Sequence, residues 1–332
     1  MKILFMKLLV TGADGMLGSN LVRLLLERGH EVRVLVHPSS RSITIDGLKV
    51  EKHIGDILKP ETLNPAIEGV DALIHAAAST TLWPARSENI RRINIEGTSN
   101  MIDAVLNHNI KRMIYIGSVN SLKIDGISSG KHGSPVENYG LDYIASKREA
   151  LQLVLDAVKR RGLPALAILP TMMVGPYDSL PGSGKMILAS ARGRINFYTK
   201  GGRNFIHVRD VATAIANSLE LGRIGEYYIA GNENLTYQDF FRKVARVVSK
   251  PDPHIPVPNW LVKLIGLFGS LSGKIINKHP FLTYPMARIS CSTQFVKSEA
   301  AITELNMSQT NIEVAIKECY DWYTGNAYLK KQ

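Results

Sequence analysis

Cysteine is scarce in this 332-residue chain: only Cys291 and Cys319 occur, far apart and near the C-terminus. Two thiols so placed make neither a disulfide framework nor a metal site, and a reducing cytoplasm suits such a protein. Low-complexity runs and internal repeats are missing too, which excludes disordered and solenoid classes. The net charge is +11, yet no Lys/Arg run is interleaved with aromatics and no segment carries a dense basic stripe. That pattern argues against nucleic acid and leaves phosphate-bearing small molecules or an anionic membrane surface as partners for the charge. The stretch NWLVKLIGLFGSLSGKII, residues 259–276, is broken by Lys263, Lys274 and three glycines, too interrupted for a membrane span. It reads as a helix closing over an apolar substrate, with docking on a membrane surface as the lesser reading. The opening MKILF, ahead of MKLLVTG, is too short for a signal peptide.

The chain does have a strong alternation of strand and helix patterns. Apolar residues make up 45% of it, an ordinary globular share. KLLVT, the break GADGMLG, the helical SNLVRLLLERG and the alternating EVRVLV come first. LKVEKHI, a helix around KPETLNPAIEG, the strand DALIHAA, a helix over about 86–108 and the strand RMIYIG follow. A Gly/Ser-rich loop (125–135), a helix over 142–161 and the run LPALAILP complete the series. Such alternation predicts an α/β fold with a doubly wound parallel sheet covered on both faces. Beyond about residue 170 the rhythm loosens. Residues 1–170 are expected to form the dinucleotide-binding domain, with chain returning to it at about 205–230. Residues 171–332 are expected to be mainly a smaller C-terminal substrate-binding lobe.

TGADGMLG, Thr11 to Gly18, carries glycines at 12, 15 and 18 between a strand and a helix. Glycines there allow a tight turn and close approach of backbone to a pyrophosphate, and the helix N-terminus supplies unpaired N–H groups. An NAD site usually places an acid at the end of the second strand, to hold the ribose 2′-OH. That strand ends in VLVHPSSRS, with no Asp or Glu from His37 to Ser42. His37, Ser39, Ser40 and Arg41 could surround a 2′-phosphate instead, which favours NADP(H) and leaves NAD(H) open.

Tyr143 stands four residues before Lys147 in YIASK, one helical turn apart on one face. A nearby ammonium favours the phenolate, so the pair reads as a tuned acid/base; taken alone, it reads equally well as two residues on a wet helix face.

The order of these pieces decides between the two. The glycine motif, Asp56 in HIGDIL, HAAA at 75–78, Asn94, Ser118 after a strand, and YIASK follow one another. LPTMMVGPYD at 169–178 and RNFIHVRDVATAI at 203–215 come later. Together they resemble the extended short-chain dehydrogenase/reductases, of the NAD-dependent epimerase/dehydratase superfamily, over nearly the whole chain. GRIGEYYIAGNENLTYQDF and GKMILASARGRINFY look most like its dihydroflavonol 4-reductase-like branch. The resemblance implies a Rossmann-type fold with Tyr143 as general acid/base, Lys147 tuning it and bonding the nicotinamide ribose, and Ser118 orienting the substrate oxygen. Ser121 is a rival to Ser118. The implied dinucleotide contacts are Gly12, Asp14, Gly15, Met16, Leu17, Gly18, His37, Arg41, Asp56 (on the adenine amine), Ile57, Ala76, Ala77, Ala78, Tyr143, Lys147, Pro170 and Met173. No metal is implied. Family members commonly dimerise through two helices per subunit, here about 86–108 and 142–161, and Leu151, Val154, Leu155 and Val158 give the second an apolar stripe.

Other polar residues read as structural. His75 ends an apolar strand, Asn94 reads as a core brace, His207 is flanked by apolar residues, and Asp210 reads as a helix cap. Arg203 has two readings: a surface loop arginine, or the arginine that in nucleotide-sugar enzymes of the family binds the diphosphate. Dehydratases of the family carry an Asp-Glu pair after the active-site hydroxyl. Here Val119, Asn120 and Ser121 follow Ser118. The expected activity is NAD(P)H-dependent reduction of a carbonyl on a moderately apolar small molecule. The alternatives are a nucleotide-sugar epimerase that retains NAD and a non-catalytic dinucleotide sensor.

Overall fold

The computed structural model of the protein describes residues 5–122, 139–276 and 280–329. Seven parallel strands form the main sheet in the order Tyr227–Ala230, Ala165–Pro170, Arg112–Ile116, Ala72–His75, Lys7–Thr11, Glu31–Val36, Glu51–Ile54. Ala165–Pro170 and Ala72–His75 are buried at every position, as strands covered on both faces must be. Leu8 and Val10 join one apolar core while Leu9 joins the other, so the pleat feeds both sides. Helices Met16–Glu27 and Val208–Ser218 pack together on the first side, and Gly97–Asn107 packs with Asp142–Arg161 on the second. This is the doubly wound α/β architecture that the alternation predicted.

The sheet grows in one direction from Lys7–Thr11 to Glu31–Val36 and Glu51–Ile54, then in the other from Ala72–His75. A crevice opens at the carboxyl ends where the winding reverses. Register aligns those ends: Thr11 lies beside His75, and His75 beside Tyr115.

Outside this sheet, Gly202–His207 pairs with Met172–Val174, Glu233–Thr236 and Thr293–Gln294. A third core gathers there around Phe205 and Phe240, stacked with ring centroids 4.1 Å apart. The chain re-enters the large sheet at Tyr227–Ala230.

Local signals explain the long helices. Asp142–Arg161 ends on Gly162 at φ 69°, with Lys159, Arg160 and Arg161 in its last turn, where cations meet the negative end of the helix dipole. Ser87 accepts from Ile90 N and caps the helix beginning at Glu88. That helix reaches Asn107 through a π-helical segment, Arg92–Glu96. Leu151 and Val154 of the expected dimer stripe are buried against the sheet, and Leu155 and Val158 are half-buried. Arg91–Glu149 and Arg161–Asp103, both at 2.7 Å, join the two helices across their outer surface.

Several expectations change. KPETLNPAIEG is two short pieces, Pro60–Thr62 and Asn64–Ile67, because Pro65, inside the stretch, lacks the N–H that one continuous helix needs. The loop 125–135 lies outside the described residues. Residues 259–276 do form one helix, Asn259–Ile276, but only Val262, Gly266 and Gly273 are buried. Its large apolar side chains are mostly exposed, because glycines line its inner face, Gly266 against Tyr284–Ser290 and Gly269 against Leu282. A Cβ on Gly266 would stand 2.6 Å from that of Ala287. Among the described residues no helix is long and apolar enough to cross a membrane.

Asp210 is not the helix cap. His207 is, accepting from Arg209 N at 3.0 Å. Asp210 lies in the first turn, buried, and accepts from Ser308 Oγ (2.7 Å), Thr310 N (2.7 Å) and Thr310 Oγ1 (2.8 Å). It clasps the C-terminal segment to the helix Val208–Ser218. Asp210→Ala strips three donors of their partner, so urea unfolding should show a loss of about 2–4 kcal/mol. A loss under about 0.5 kcal/mol, the range of an ordinary surface change, would mean the clasp holds nothing.

Candidate active site

The glycine turn fits a pyrophosphate. Gly12 has φ +68°, and a Cβ there would lie 2.7 Å from Ala77 N and 2.8 Å from Ala76 C. Gly18 packs as tightly, against the Gly12 carbonyl and Ala13. Gly15 is the N-cap of Met16–Glu27 and has no side chain over the first-turn N–H groups. Backbone at Gly12, Asp14, Gly15 and Met16 therefore borders an open helix N-terminus at the point of strand reversal. Leu17 is buried in the core, so only its backbone faces the turn. Ala76, Ala77 and Ala78 are half-buried along the facing strand end.

The second-strand loop is more acidic in space than in sequence. Ser40 Oγ donates to the Asp14 carboxylate, and Thr44 Oγ1 donates to Asp14 O at 2.7 Å. His37 is exposed, paired with Ser39 Oγ at 2.8 Å, and its Nε2 lies 3.8 Å from Asp56 Oδ2. The other Asp56 oxygen accepts from Leu58 N at 2.9 Å. Arg41 is exposed at the rim. Ile57 is buried, with its carbonyl taken by Asn100.

Ser118, Tyr143 and Lys147 converge at the end of Arg112–Ile116. Lys147 is buried, and its Nζ donates to Ile116 O at 2.7 Å. Burial pulls its pKa down to about 7. Tyr143 is half-buried by surface; its phenol is pushed up by burial, and the Ser118 hydroxyl opposes that shift. The expectation that Lys147 pulls the phenol down is therefore reversed: a dry pocket costs the charged form of both groups, and Ser118 is the counterweight. Ser118 Oγ accepts from Asn120 N at 3.2 Å. Ser121, the rival, is buried with its hydroxyl unpartnered among the described residues.

The supporting residues are structural, as their sequence setting suggested. Thr11 Oγ1 accepts from Ala77 N (3.1 Å) and meets His75 Nδ1 (2.9 Å); His75 Nε2 meets Thr98 Oγ1 at 3.3 Å. Burial first, and Lys147 second, lower the His75 pKa to about 3, so it is a neutral relay in the core. Asn94, in the π-helical segment, accepts from Ser79 N (2.8 Å) and donates to Ser79 O (3.1 Å) and Ser146 Oγ (2.9 Å). It braces the chain beyond Ala78 against the helix that carries Tyr143.

Arg203 is neither on the surface nor on a loop. It is buried in the strand Gly202–His207, and Nη1 donates to Gly202 O (2.6 Å) and Ser292 O (2.7 Å). Nη2 donates to Ile289 O and, at 3.3 Å, to Ser292 Oγ. Both terminal nitrogens hold backbone of the lobe. Pro170 is buried at its strand end, and Met173 is half-buried against the first core, with its carbonyl taken by Ser183. Both border the crevice from the lobe side.

Three neighbours of the site escaped the sequence reading. Tyr115 is buried between His75 and Lys147, its ring 4.9 Å from Nζ, and its hydroxyl has no partner among the described residues. A tyrosine inside the apolar strand RMIYI was the available signal. Asp142 accepts from Arg86 Nη1 (2.9 Å) and Ser87 N (2.7 Å), which pins the preceding segment to the start of the Tyr143 helix. Tyr139 donates to Ser292 Oγ at 3.2 Å and ties the approach to that helix to the lobe. No local pattern announces the last two.

Comparison with known proteins agrees with this geometry. The model of the NAD dependent epimerase/dehydratase family matches residues 8–231. A Synechocystis protein with the provisional name dihydroflavonol 4-reductase is 30% identical over 97% of this chain and 96% of its own. Sterol demethylase protein B of Methylococcus capsulatus is 30% identical over 96% and 98%. Among solved structures, gox2253 superposes with a TM-score of 0.86 at 34% identity, covering 97% of this chain and 99% of its own.

The Lys147 shift makes a stability prediction. Its folded pKa, about 7, lies below the ordinary 10.5, so between those values the unfolded chain binds the extra proton. Stability should rise with pH across that window, by up to about 1.4 kcal/mol per unit from this one group. Lys147→Met removes the group, so the stability of the parent relative to the variant, followed by urea unfolding from pH 7 to 10, should rise with pH. Parallel curves would mean the ammonium is not desolvated.

Proposed function

Because the chain belongs to the NAD dependent epimerase/dehydratase family, we propose that it is a nicotinamide-dependent oxidoreductase that reduces a carbonyl on a moderately apolar small molecule. The observation that carries this reading is the convergence of Ser118, Tyr143 and Lys147 at the carboxyl end of Arg112–Ile116. Burial pushes the phenol up, with the Ser118 hydroxyl opposing that shift, which favours a proton donor over a base. Reduction needs a donor at the substrate oxygen, whereas epimerisation begins with a base. Arg203, which one of its two readings gave to a sugar nucleotide's diphosphate, is already committed to lobe carbonyls. Relatives matched over about three quarters of the chain bear reductase names. They include a 2-alkyl-3-oxoalkanoate reductase of Stenotrophomonas maltophilia (27% identical, 74% of this chain) and cinnamoyl-CoA reductase 1 of Petunia hybrida (27%, 75%).

The chain's own groups divide the work. The glycine turn and the N-terminus of Met16–Glu27 would hold the pyrophosphate, Asp56 the adenine amine, and Lys147 the nicotinamide ribose. The dihydronicotinamide supplies hydride when bound. Ser118 orients the substrate carbonyl oxygen, and Tyr143 delivers its proton as negative charge develops there. Lys147, one helical turn on, is then this chain's cation for the phenolate left behind.

The NADP(H) preference belongs to the same proposal. Between His37 and Ser42 there is no acid, Ser40 occupies Asp14, and Arg41 stands exposed at the rim. Arg41→Ala should weaken NADPH binding about tenfold to a hundredfold, the worth of a well-placed ion pair to phosphate, with NADH little changed. Equal loss for both, by fluorescence titration, would remove Arg41 from the 2′-phosphate.

The reaction is tested by following NADPH consumption over a panel of aromatic aldehydes, ketones and flavonoid-like ketones. On any substrate that is turned over, Tyr143→Phe should lower kcat by about two to four orders of magnitude and leave NADPH binding intact. Full activity in that variant would sink the proton-donor role. Tightly held NAD copurifying with the protein, and no turnover across the panel, would favour the epimerase.

A further inference from the structure

The helix Asn259–Ile276 wears its apolar face on the outside. Trp260, Leu264, Leu267, Phe268, Leu271 and Ile275 recur at helical spacing on one side. Trp260 is 67% exposed, Phe268 62% and Ile275 84%. The buried positions are Val262, Gly266 and Gly273, with Gly266 set against Tyr284 and Ala287. Phe281, 83% exposed, continues the patch past the end of the helix. Soluble surfaces rarely keep so continuous an apolar face without a partner for it.

Charge selects the partner. From Pro253 to Ser298 the chain has no Asp or Glu, but it has Lys263, Lys274, Lys278, Arg288 and Lys297. Lys263 and Lys274 are exposed and eleven residues apart, three helical turns, so they flank the outward stripe along one edge. A second copy docked face to face would bring these lysines together with no carboxylate of this region to meet them. A bilayer surface with anionic headgroups satisfies both halves of the pattern: aromatic and aliphatic side chains enter the interface while ammonium groups meet phosphate.

We infer that this face is a docking surface for an anionic lipid bilayer, with the helix lying in the interfacial plane. The inference goes beyond the reductase reading and does not depend on it. It has a consequence for the site, since the helix rests on Tyr284–Ser290. Arg203 holds the carbonyls of Ile289 and Ser292 there, and Ser292 bonds Tyr139, four residues before Tyr143. Docking would set the lobe side of the crevice at the membrane.

The test uses the full chain at low salt with vesicles of phosphatidylcholine, with and without phosphatidylglycerol. Cosedimentation should occur with the phosphatidylglycerol vesicles, with a blue shift in emission that Trp260→Phe removes without abolishing binding. Phe268→Asp with Leu271→Asp should lower partitioning at least tenfold. Lys263→Glu with Lys274→Glu should lower it at least about thirtyfold, the worth of two surface charges. All four positions are exposed, and circular dichroism melting checks that the variants remain folded. No cosedimentation, equal binding to phosphatidylcholine alone, or unchanged binding in both double variants would overturn the inference. So would a dimer in light scattering that Phe268→Asp splits, which would give the face to a second copy.

Discussion

Lys147 buries an ammonium against one carbonyl, that of Ile116, at 2.7 Å. The rest of the site is arranged around this contact. It fixes the start of the helix Asp142–Arg161 at the end of the strand Arg112–Ile116, so that Tyr143, one turn earlier, stands beside Ser118, two residues past the strand. The position is dry enough to lower the lysine to about 7 and to raise the tyrosine. A protein gains nothing in stability from an ammonium held that way, since desolvation exceeds what one neutral carbonyl returns. Its retention fits chemical use.

Support for that contact comes from polar residues that never meet a substrate. Asp142 locks the segment before the π-helical turn to the helix start, and Asn94 ties the chain after Ala78 to Ser146 on the same helix. His75, kept neutral in the core, links the glycine turn to Thr98 through Thr11. Glycine turn, strand edge and catalytic helix are thereby joined by direct hydrogen bonds. A shift in one is felt in the others, which suits a site where hydride and proton must reach adjacent atoms.

Much of this was legible in the sequence. The Gly12–Gly18 turn, the strand ends at His75 and Ile116, and the Tyr143–Lys147 spacing are local patterns with local causes. His75 was read as structural because it ends an apolar strand and Asn94 as a core brace, and their burial and hydrogen bonds fit that reading. What the sequence concealed was long-range. Asp14 meets Ser40 across 26 residues, Asp210 meets Thr310 across 100, and Arg203 reaches Ser292 across 89. No periodicity encodes such pairings. The sign of the Tyr143 shift was misjudged for a related reason: spacing gives the nearest charge, while burial depends on everything packed around it.

The helix Asn259–Ile276 marks the same limit from the other side. Its composition fits a lid, a membrane helix or a core helix equally, because hydrophobicity alone does not say which face turns inward. The glycines decide it. Gly266 and Gly269 leave no room for a side chain, since a Cβ there would meet Ala287 or the Leu282 carbonyl, so they face inward and the bulky residues are left outside. An apolar exterior follows from the need to pack backbone closely against the helix whose far end Arg203 anchors to the lobe sheet. That geometry links this apolar surface to the approach of the Tyr143 helix, through Tyr284–Ser290 and the bond between Ser292 and Tyr139.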